Sequence, residues 1–162
     1  MNVSEWHDFF LGSAGSAAAL TGLIFVGVSI NITKILSFPK LPDRALLSLI
    51  LLMAILVVSS LMLIPQQSNL LLGIEIIVVA ISIYSVVTKM DIGIYRNTPS
   101  EYKKQYFTSL VFDQLSVLPY LFGGIATLYY GENGIYWIVP AIILSFIKAV
   151  IDAWVLLVEI NR

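Results

Sequence analysis

Long apolar stretches alternate with short polar segments along the chain, and this pattern predicts membrane-spanning helices. A helix that crosses a hydrocarbon core of ~30 Å needs about 20 consecutive, mostly apolar residues. The stretches that meet this length are residues 9–32, 45–64, 70–90, 107–130 and 135–160. The segments between them are rich in proline, glycine and small polar residues, which is typical of turns. We therefore predict an all-α bundle of about five transmembrane helices, in which residues 1–162 form a single domain.

Composition supports a membrane location. Of the 162 residues, 59% are hydrophobic and 12% are charged, whereas about 25% of a soluble domain is charged. Such a small number of charged groups cannot cover a surface that faces water. We therefore expect the chain to contact the lipid bilayer as a partner. No lysine or arginine precedes the first apolar stretch, and we expect that stretch to remain as a membrane helix rather than to be removed as a signal peptide.

The distribution of basic residues predicts an orientation. Loops on the cytoplasmic side of multi-pass proteins are enriched in lysine and arginine. The basic residues here lie in or beside the first connection, the third connection and the C-terminus: Lys34, Lys40, Arg44, Lys89, Arg96, Lys103, Lys104 and Arg162. The second and fourth connections have none. We therefore expect the N-terminus outside and the C-terminus in the cytoplasm. An odd number of spans also requires the two termini to lie on opposite sides of the membrane.

The first two predicted helices differ in side-chain size. In the first, Gly12, Gly15, Ala19 and Gly22 lie on one face at helical spacing, and such small residues let two helices approach closely. Two interpretations stay open: this helix is the buried centre of one bundle, or it packs against copies of itself or lines a narrow pore. The second predicted helix is apolar nearly all round, and we expect it to face lipid.

Each of the last three predicted helices has a polar stripe, which should face the bundle interior or water because lipid cannot form hydrogen bonds. The stripes are Glu75, Ser82, Ser85 and Lys89 on the third helix, Asp113, Ser116, Tyr120, Gly123 and Thr127 on the fourth, with Gln114 beside them, and Ser145, Lys148, Asp152 and Glu159 on the fifth. Residues at these spacings point the same way on a helix. The candidates for lining a pore or its mouth are Glu75, Gln114, Ser116 and Tyr120.

Asp113, Lys148 and Asp152 are predicted to form an intramembrane charge cluster. The rise of ~1.5 Å per residue puts the two aspartates at nearly the same depth, with Lys148 one turn nearer the bilayer centre. A charge there costs at least about 2.5–3.5 kcal/mol, so Lys148 needs a carboxylate partner. Two acids and one base leave a spare negative charge or a neutral carboxylate, which is suited to a proton or a small cation. The alternative is a structural ion pair that fixes helix register.

Pro119 is expected to kink the fourth predicted helix. Its ring lacks an N–H group and clashes with the carbonyl of Leu115. A span interrupted by proline beside a buried acid can form a site or a gate. Such prolines also occur in inert membrane helices, so both interpretations stay open.

Nothing in the sequence predicts an enzyme. There is no cysteine, and the single histidine, His7, lies near the N-terminus, so neither a metal site nor a nucleophile–base pair is expected. The Gly-x-Gly-Asp motif of intramembrane aspartyl proteases is absent around Asp113 and Asp152. Nucleotide-binding motifs and a strongly basic surface are missing too. We therefore expect no catalytic residue, metal, cofactor or nucleic-acid partner.

These features favour a homo-oligomeric ion channel or pore, with a cation or proton path lined by the polar stripes of the last three helices. Five short helices barely enclose a path alone, so conduction implies several copies, arranged cyclically. Acidic residues in a pore favour cations. The alternative is a non-conducting membrane component, either an assembly or accessory subunit or a membrane-disrupting effector, whose buried charges are structural ion pairs.

Three segments resemble a group of small prokaryotic multi-pass integral membrane proteins. They are Trp6-His-Asp-Phe-Phe-Leu-Gly-Ser-Ala-Gly-Ser, Leu20-Thr-Gly-Leu-Ile-Phe-Val-Gly-Val-Ser-Ile-Asn and Ile151-Asp-Ala-Trp-Val-Leu-Leu-Val-Glu-Ile-Asn-Arg. The resemblance extends over the whole chain and implies a multi-pass protein of a bacterial or archaeal inner or plasma membrane. It carries over no catalytic or binding residue.

Overall fold

The computed structural model describes residues 6–38, 41–96 and 98–160, and these residues are almost entirely helical. The α-helices are α1 (His7–Ile30), α2 (Ile32–Leu36), α3 (Leu41–Met62), α4 (Asn69–Arg96), α5 (Lys103–Tyr130) and α6 (Ile135–Ile160). Short 3-10 helices at Ser100–Tyr102 and Gly131–Gly134 flank α5. Five of the helices are long and apolar enough to cross a membrane. The prediction of an all-α fold with five such helices is confirmed.

Three of the long helices extend at least four residues beyond the predicted spans; α3, for example, begins at Leu41 rather than at Ala45. The third predicted span ends at Met90, whereas α4 continues to Arg96; the fourth begins at Phe107, whereas α5 begins at Lys103. The predicted limits followed hydropathy, and a helix continues past the apolar segment wherever its backbone hydrogen bonds are satisfied. The added turns of α4 pack inward, because Asp91 and Ile94 are both buried.

The central helix of the bundle is α3. It packs against α1, α4 and α6, and fully buried residues run along it, among them Leu51, Ile55 and Val58. The expectation that this helix faces lipid is therefore wrong. A core and a bilayer are equally apolar, so a helix that is hydrophobic all round fits either environment.

Helix α1 lies at the edge of the bundle and packs chiefly against α3. Its buried residues are Phe10, Ser13 and Ala17. The predicted small-residue face points away from the rest of the chain, because Gly12, Gly15, Ala19 and Gly22 are exposed. The interpretation of α1 as the buried centre of one bundle is wrong for the single chain.

A close helix crossing joins α4 to α5 at Gly73 and Gly124. A Cβ atom at Gly124 would lie 2.7 Å from Ile77 Cγ1 and 3.2 Å from the Gly73 carbonyl oxygen. A Cβ atom at Gly73 would lie 2.7 Å from Leu128 Cδ2. A larger residue at either position would force its neighbours to shift, so the two glycines allow the close approach of α4 and α5.

The short connections make consecutive long helices antiparallel, so basic residues collect at one end. We call this the basic end; it carries Lys34, Arg44, Arg96, Lys103 and Lys104. The connections α3–α4 and α5–α6 lie at the opposite end.

Candidate functional site

Three charged side chains from α5 and α6 meet inside the bundle. Lys148 Nζ lies 2.9 Å from Asp113 Oδ2 and also donates a hydrogen bond to Asp152 Oδ2. Relative exposure is 3% for Lys148, 0% for Asp113 and 8% for Asp152. The structure therefore brings together the residues that helical spacing selected, and the lysine is enclosed between two carboxylates.

Helical geometry explains the arrangement. Lys148 and Asp152 are one turn apart on α6, so their side chains lie on one face. Ser145, one turn before Lys148, is buried on the same face, and its hydroxyl donates a hydrogen bond of 3.4 Å to the Ser116 carbonyl oxygen of α5. Contacts between α5 and α6 thus hold the carboxylate of Asp113 opposite Lys148.

A third buried carboxylate, Asp91 of α4, joins these residues. Asp91 is 6% exposed, and its Oδ2 accepts a hydrogen bond of 3.3 Å from Gln114 Nε2. The Gln114 Oε1 atom in turn accepts a hydrogen bond of 3.3 Å from the Thr88 hydroxyl. Asp91 is close enough to interact electrostatically with Asp113, Lys148 and Asp152. We call Asp91, Asp113, Lys148 and Asp152 the charge cluster.

Sequence reasoning missed Asp91 because the predicted span ended one residue before it. The signal that could have found it is the spacing of α4: Ala80, Val87, Asp91 and Ile94 recur at helical intervals and are all buried. Extending the helix past Met90 puts Asp91 on this inward face.

Among the residues that the structure describes, negative charge exceeds positive charge in this region. The cluster holds three carboxylates and one ammonium group, and the Arg44 guanidinium of α3 interacts with Asp113 from the basic end. With all groups ionised, three negative charges face two positive charges and leave one negative charge in excess. In addition, Asp113 Oδ1 is buried without a hydrogen-bond partner among the described residues.

A small cavity adjoins the cluster at the basic end. Its volume is about 10 Å³, which is room for about one water molecule. It is lined by Arg44, Leu47, Asp91, Ile94, Tyr106, Ser109 and Asp152. The Arg44 guanidinium lies 4.9 Å from the centre of the Tyr106 ring. Two carboxylates of the cluster therefore face a water-sized space whose wall includes this cation–π pair.

The polar stripe of α5 continues from the cluster towards the opposite end. Ser116, Tyr120, Gly123 and Thr127 are all buried, as is Asp113. The Ser116 hydroxyl donates to the Phe112 carbonyl oxygen at 2.8 Å, and the Thr127 hydroxyl donates to the Gly123 carbonyl oxygen at 2.8 Å. The predicted inward orientation of this stripe is confirmed. The side chains packed around it are apolar, among them the fully buried Ile138 and Ile142.

Most of the predicted polar stripe of α4 is exposed, unlike the stripe of α5. Ser82, Ser85 and Lys89 are exposed on the outside of the bundle, and the two hydroxyls donate to carbonyl oxygens one turn earlier on the same helix. Of the two predicted environments, the bundle interior is therefore wrong for these three residues in the single chain, and contact with water stays a prediction. A serine on a helix satisfies its hydroxyl with its own backbone and so does not need an interior position.

Two other predicted residues lie apart from the cluster. Glu75 is half-buried in the half of α4 nearer the opposite end, where its carboxylate accepts a hydrogen bond from Gln67 Nε2. Pro119 lies inside α5, which runs as one helix from Lys103 to Tyr130; the predicted kink stays a prediction. The Glu159 side chain lies outside the described residues.

Within the part of the chain that the structure describes, no group of three or more His, Cys, Asp or Glu side chains is placed to hold a metal ion. Comparison of the sequence with protein-family models and with curated proteins gives no match, and comparison with solved structures gives none either.

Proposed function

We propose that this chain is a subunit of a homo-oligomeric ion channel in a prokaryotic cell membrane, and that its charge cluster carries a proton or a small cation. The observation that carries this proposal is the burial of three carboxylates in one region, two of which contact the only ammonium group of the charge cluster. Five helices that can span a membrane supply the scaffold. The resemblance to small prokaryotic multi-pass proteins supports the membrane assignment.

The excess of carboxylates is the argument for ion binding. An uncompensated charge in an apolar interior costs several kcal/mol. A proton or a small cation removes this cost by neutralising the surplus charge. A purely structural ion pair would be complete with one carboxylate per lysine, whereas here Asp113 and Asp152 share Lys148 and a third carboxylate, Asp91, is buried beside Gln114.

The cavity supports access from the basic end. The positive-inside rule places that end in the cytoplasm and the N-terminus outside. The water-sized space beside Asp91 and Asp152 would then be the cytoplasmic entry to the cluster. Arg44 and Tyr106 line this space, where their side chains can control the approach of a cation.

Several copies are needed for a path across the membrane. Beyond Tyr120 the interior of the single chain is packed with apolar side chains, including Ile138 and Ile142. A Cβ atom at Gly12, Gly15 or Gly22 would meet nothing within 4 Å. This open face of α1 is suited to close packing against another copy.

A second candidate function is a non-conducting membrane component, such as an assembly or accessory subunit or a membrane-disrupting effector. The observation that favours it is the contact of Lys148 with both Asp113 and Asp152. A lysine held between two carboxylates is also what a fixed structural network requires.

Ion flux from proteoliposomes separates the two candidates. We expect the wild-type chain to dissipate a proton or sodium gradient, and Asp113→Asn to lose that flux. Asp43→Asn is the matched control, because Asp43 is an exposed aspartate at the same end of the bundle. Absence of flux from folded, fully incorporated wild-type protein would refute the channel. Undiminished flux in Asp113→Asn would remove Asp113 from the path.

A further inference from the structure

A narrow groove runs between α1 and α6 on the lateral surface of the bundle. Its volume is about 120 Å³, and it is lined by Leu23, Ile24, Gly27, Val28, Ala153, Leu156 and Leu157. Every lining residue is apolar. Deeper in the bundle, Leu156 packs against Ile35, Leu41 and Ala45, which close the groove on its inner side.

The groove opens towards a cation at the basic end. Lys34 follows Gly27 by two helical turns, and it is exposed. Helix α1 ends at Ile30, and after a turn at Asn31 the chain enters α2, whose Ile35 packs against Val28 and Leu156 of the groove. Lys34 precedes Ile35 in α2 and therefore lies beyond the end of the apolar groove.

The distance from Leu23, at the far end of the groove, to Lys34 matches the thickness of one leaflet of a bilayer. The rise of a helix puts Leu23 and Lys34 about 16 Å apart along the axis. Half of a hydrocarbon core of ~30 Å is about 15 Å. A lipid headgroup beside Lys34 would thus place its acyl chain along the whole groove, down to Leu23.

We infer that this groove binds one acyl chain of an anionic phospholipid, and that Lys34 contacts the lipid phosphate. The inference rests on the membrane location under the proposed function, but not on conduction. The apolar lining is suited to the chain, and the positive charge at the basic end is suited to the headgroup. The attraction of one lysine for an anionic lipid at a membrane surface corresponds to about fivefold in affinity.

Gly27 offers a direct way to fill the groove. A Cβ atom there would meet only Leu157 Cδ2, at 3.8 Å, which is an ordinary van der Waals contact. Gly27→Leu should therefore fold and occupy the space of the acyl chain. Gly93→Leu on α4 is the matched control, because a Cβ atom at Gly93 meets nothing within 4 Å and lies away from the groove. Circular dichroism checks that both variants are folded.

Native mass spectrometry of the detergent-purified protein tests the inference, with phosphatidylglycerol and phosphatidylcholine of identical acyl chains as probes. We expect one tightly retained phosphatidylglycerol per chain in the wild type and in Gly93→Leu, and none in Gly27→Leu. Lys34→Gln should keep the lipid but lose the approximately fivefold preference for phosphatidylglycerol, whereas Lys89→Gln should keep that preference.

Three results would overturn the inference. The first is equal lipid retention in Gly27→Leu and Gly93→Leu. The second is a wild-type protein without preference between the two headgroups. The third is a change in the number of protein copies in Gly27→Leu with lipid retention unaltered, because a second copy of the chain would then be the occupant. Each of these results is independent of whether the protein conducts ions.

Discussion

The Nζ atom of Lys148 lies 2.9 Å from Oδ2 of Asp113, and both side chains are buried. The two residues come from different helices, so this ion pair ties α6 to α5 in the interior of the bundle. Asp152 approaches the same ammonium group from the next turn of α6. Removing the lysine would leave two carboxylates facing each other without a cation between them.

Lys148→Met should therefore destabilise the fold. Loss of one partner from a buried charge pair costs about 3–5 kcal/mol, because the other charge stays buried and uncompensated. The free energy of unfolding in detergent measures this loss. Lys89→Met is the control: Lys89 is exposed, and its variant should stay within about 0.5 kcal/mol of the wild type. Equal stability of the two variants would show that Lys148 is not the structural partner of the carboxylates.

The glycine crossing between α4 and α5 predicts a second stability effect. Gly124→Leu would place side-chain atoms against Ile77 and the Gly73 carbonyl oxygen, and overpacking of this kind costs about 1–3 kcal/mol. Thermal unfolding should show a clear decrease in the midpoint. Gly93→Leu, where the added atoms meet nothing within 4 Å, should leave the midpoint close to that of the wild type. A tolerated Gly124→Leu would mean that the crossing is looser than the structure describes.

The exposed face of α1 predicts an effect on assembly rather than on folding. Gly15→Leu and Gly22→Leu add atoms where the single chain has nothing within 4 Å, so helicity and unfolding should change little. If copies pack along this face, both variants should reduce the number of subunits measured by light scattering. A wild-type monomer, or an unchanged subunit number in both variants, would contradict packing through α1.

Orientation can be tested cleanly because the chain contains no cysteine. Single cysteines at Ser37, near the basic end, and at Ser68, near the opposite end, replace exposed serines. The positive-inside rule predicts that a membrane-impermeant maleimide labels Ser68→Cys on intact cells and labels Ser37→Cys only after lysis. The reverse labelling pattern would invert the proposed topology and place the small cavity on the outer side.

The sequence was informative where helical spacing alone determines position. The stripe of Asp113, Ser116 and Tyr120 and the pair Lys148–Asp152 repeat at helical intervals, and all five are buried as predicted. The predicted depth of Lys148 in the bilayer also indicated that its charge needs carboxylate partners. These conclusions depend only on local geometry and on the cost of burying charge.

Hydropathy was a poor guide to which helix occupies the centre. The apolar α3 is central, contrary to the expectation that it faces lipid, because lipid and protein interior favour the same side chains. The small-residue helix α1 is peripheral, which excludes one of its two predicted positions, the buried centre of the bundle. Asp91 was missed for a related reason: a charged residue marked the end of the apolar segment, although the helix continues past it. The helical spacing of Asp91 with Ala80 and Val87 would have placed it on the inward face once the helix was extended past Met90.

The central claim is that buried carboxylates carry the ion, and Asp91 tests it most directly because it lines the cavity and is a buried member of the charge cluster. The measurement is the initial rate of proton or sodium flux per chain in proteoliposomes for the wild type, Asp91→Asn and Asp43→Asn. Asparagine keeps the size of Asp91 and can still pair with Gln114, so the fold should persist while the charge is lost. We predict flux in the wild type and in Asp43→Asn and none in Asp91→Asn. Equal flux in all three proteins, or none in the wild type, would contradict an ion path through the cluster.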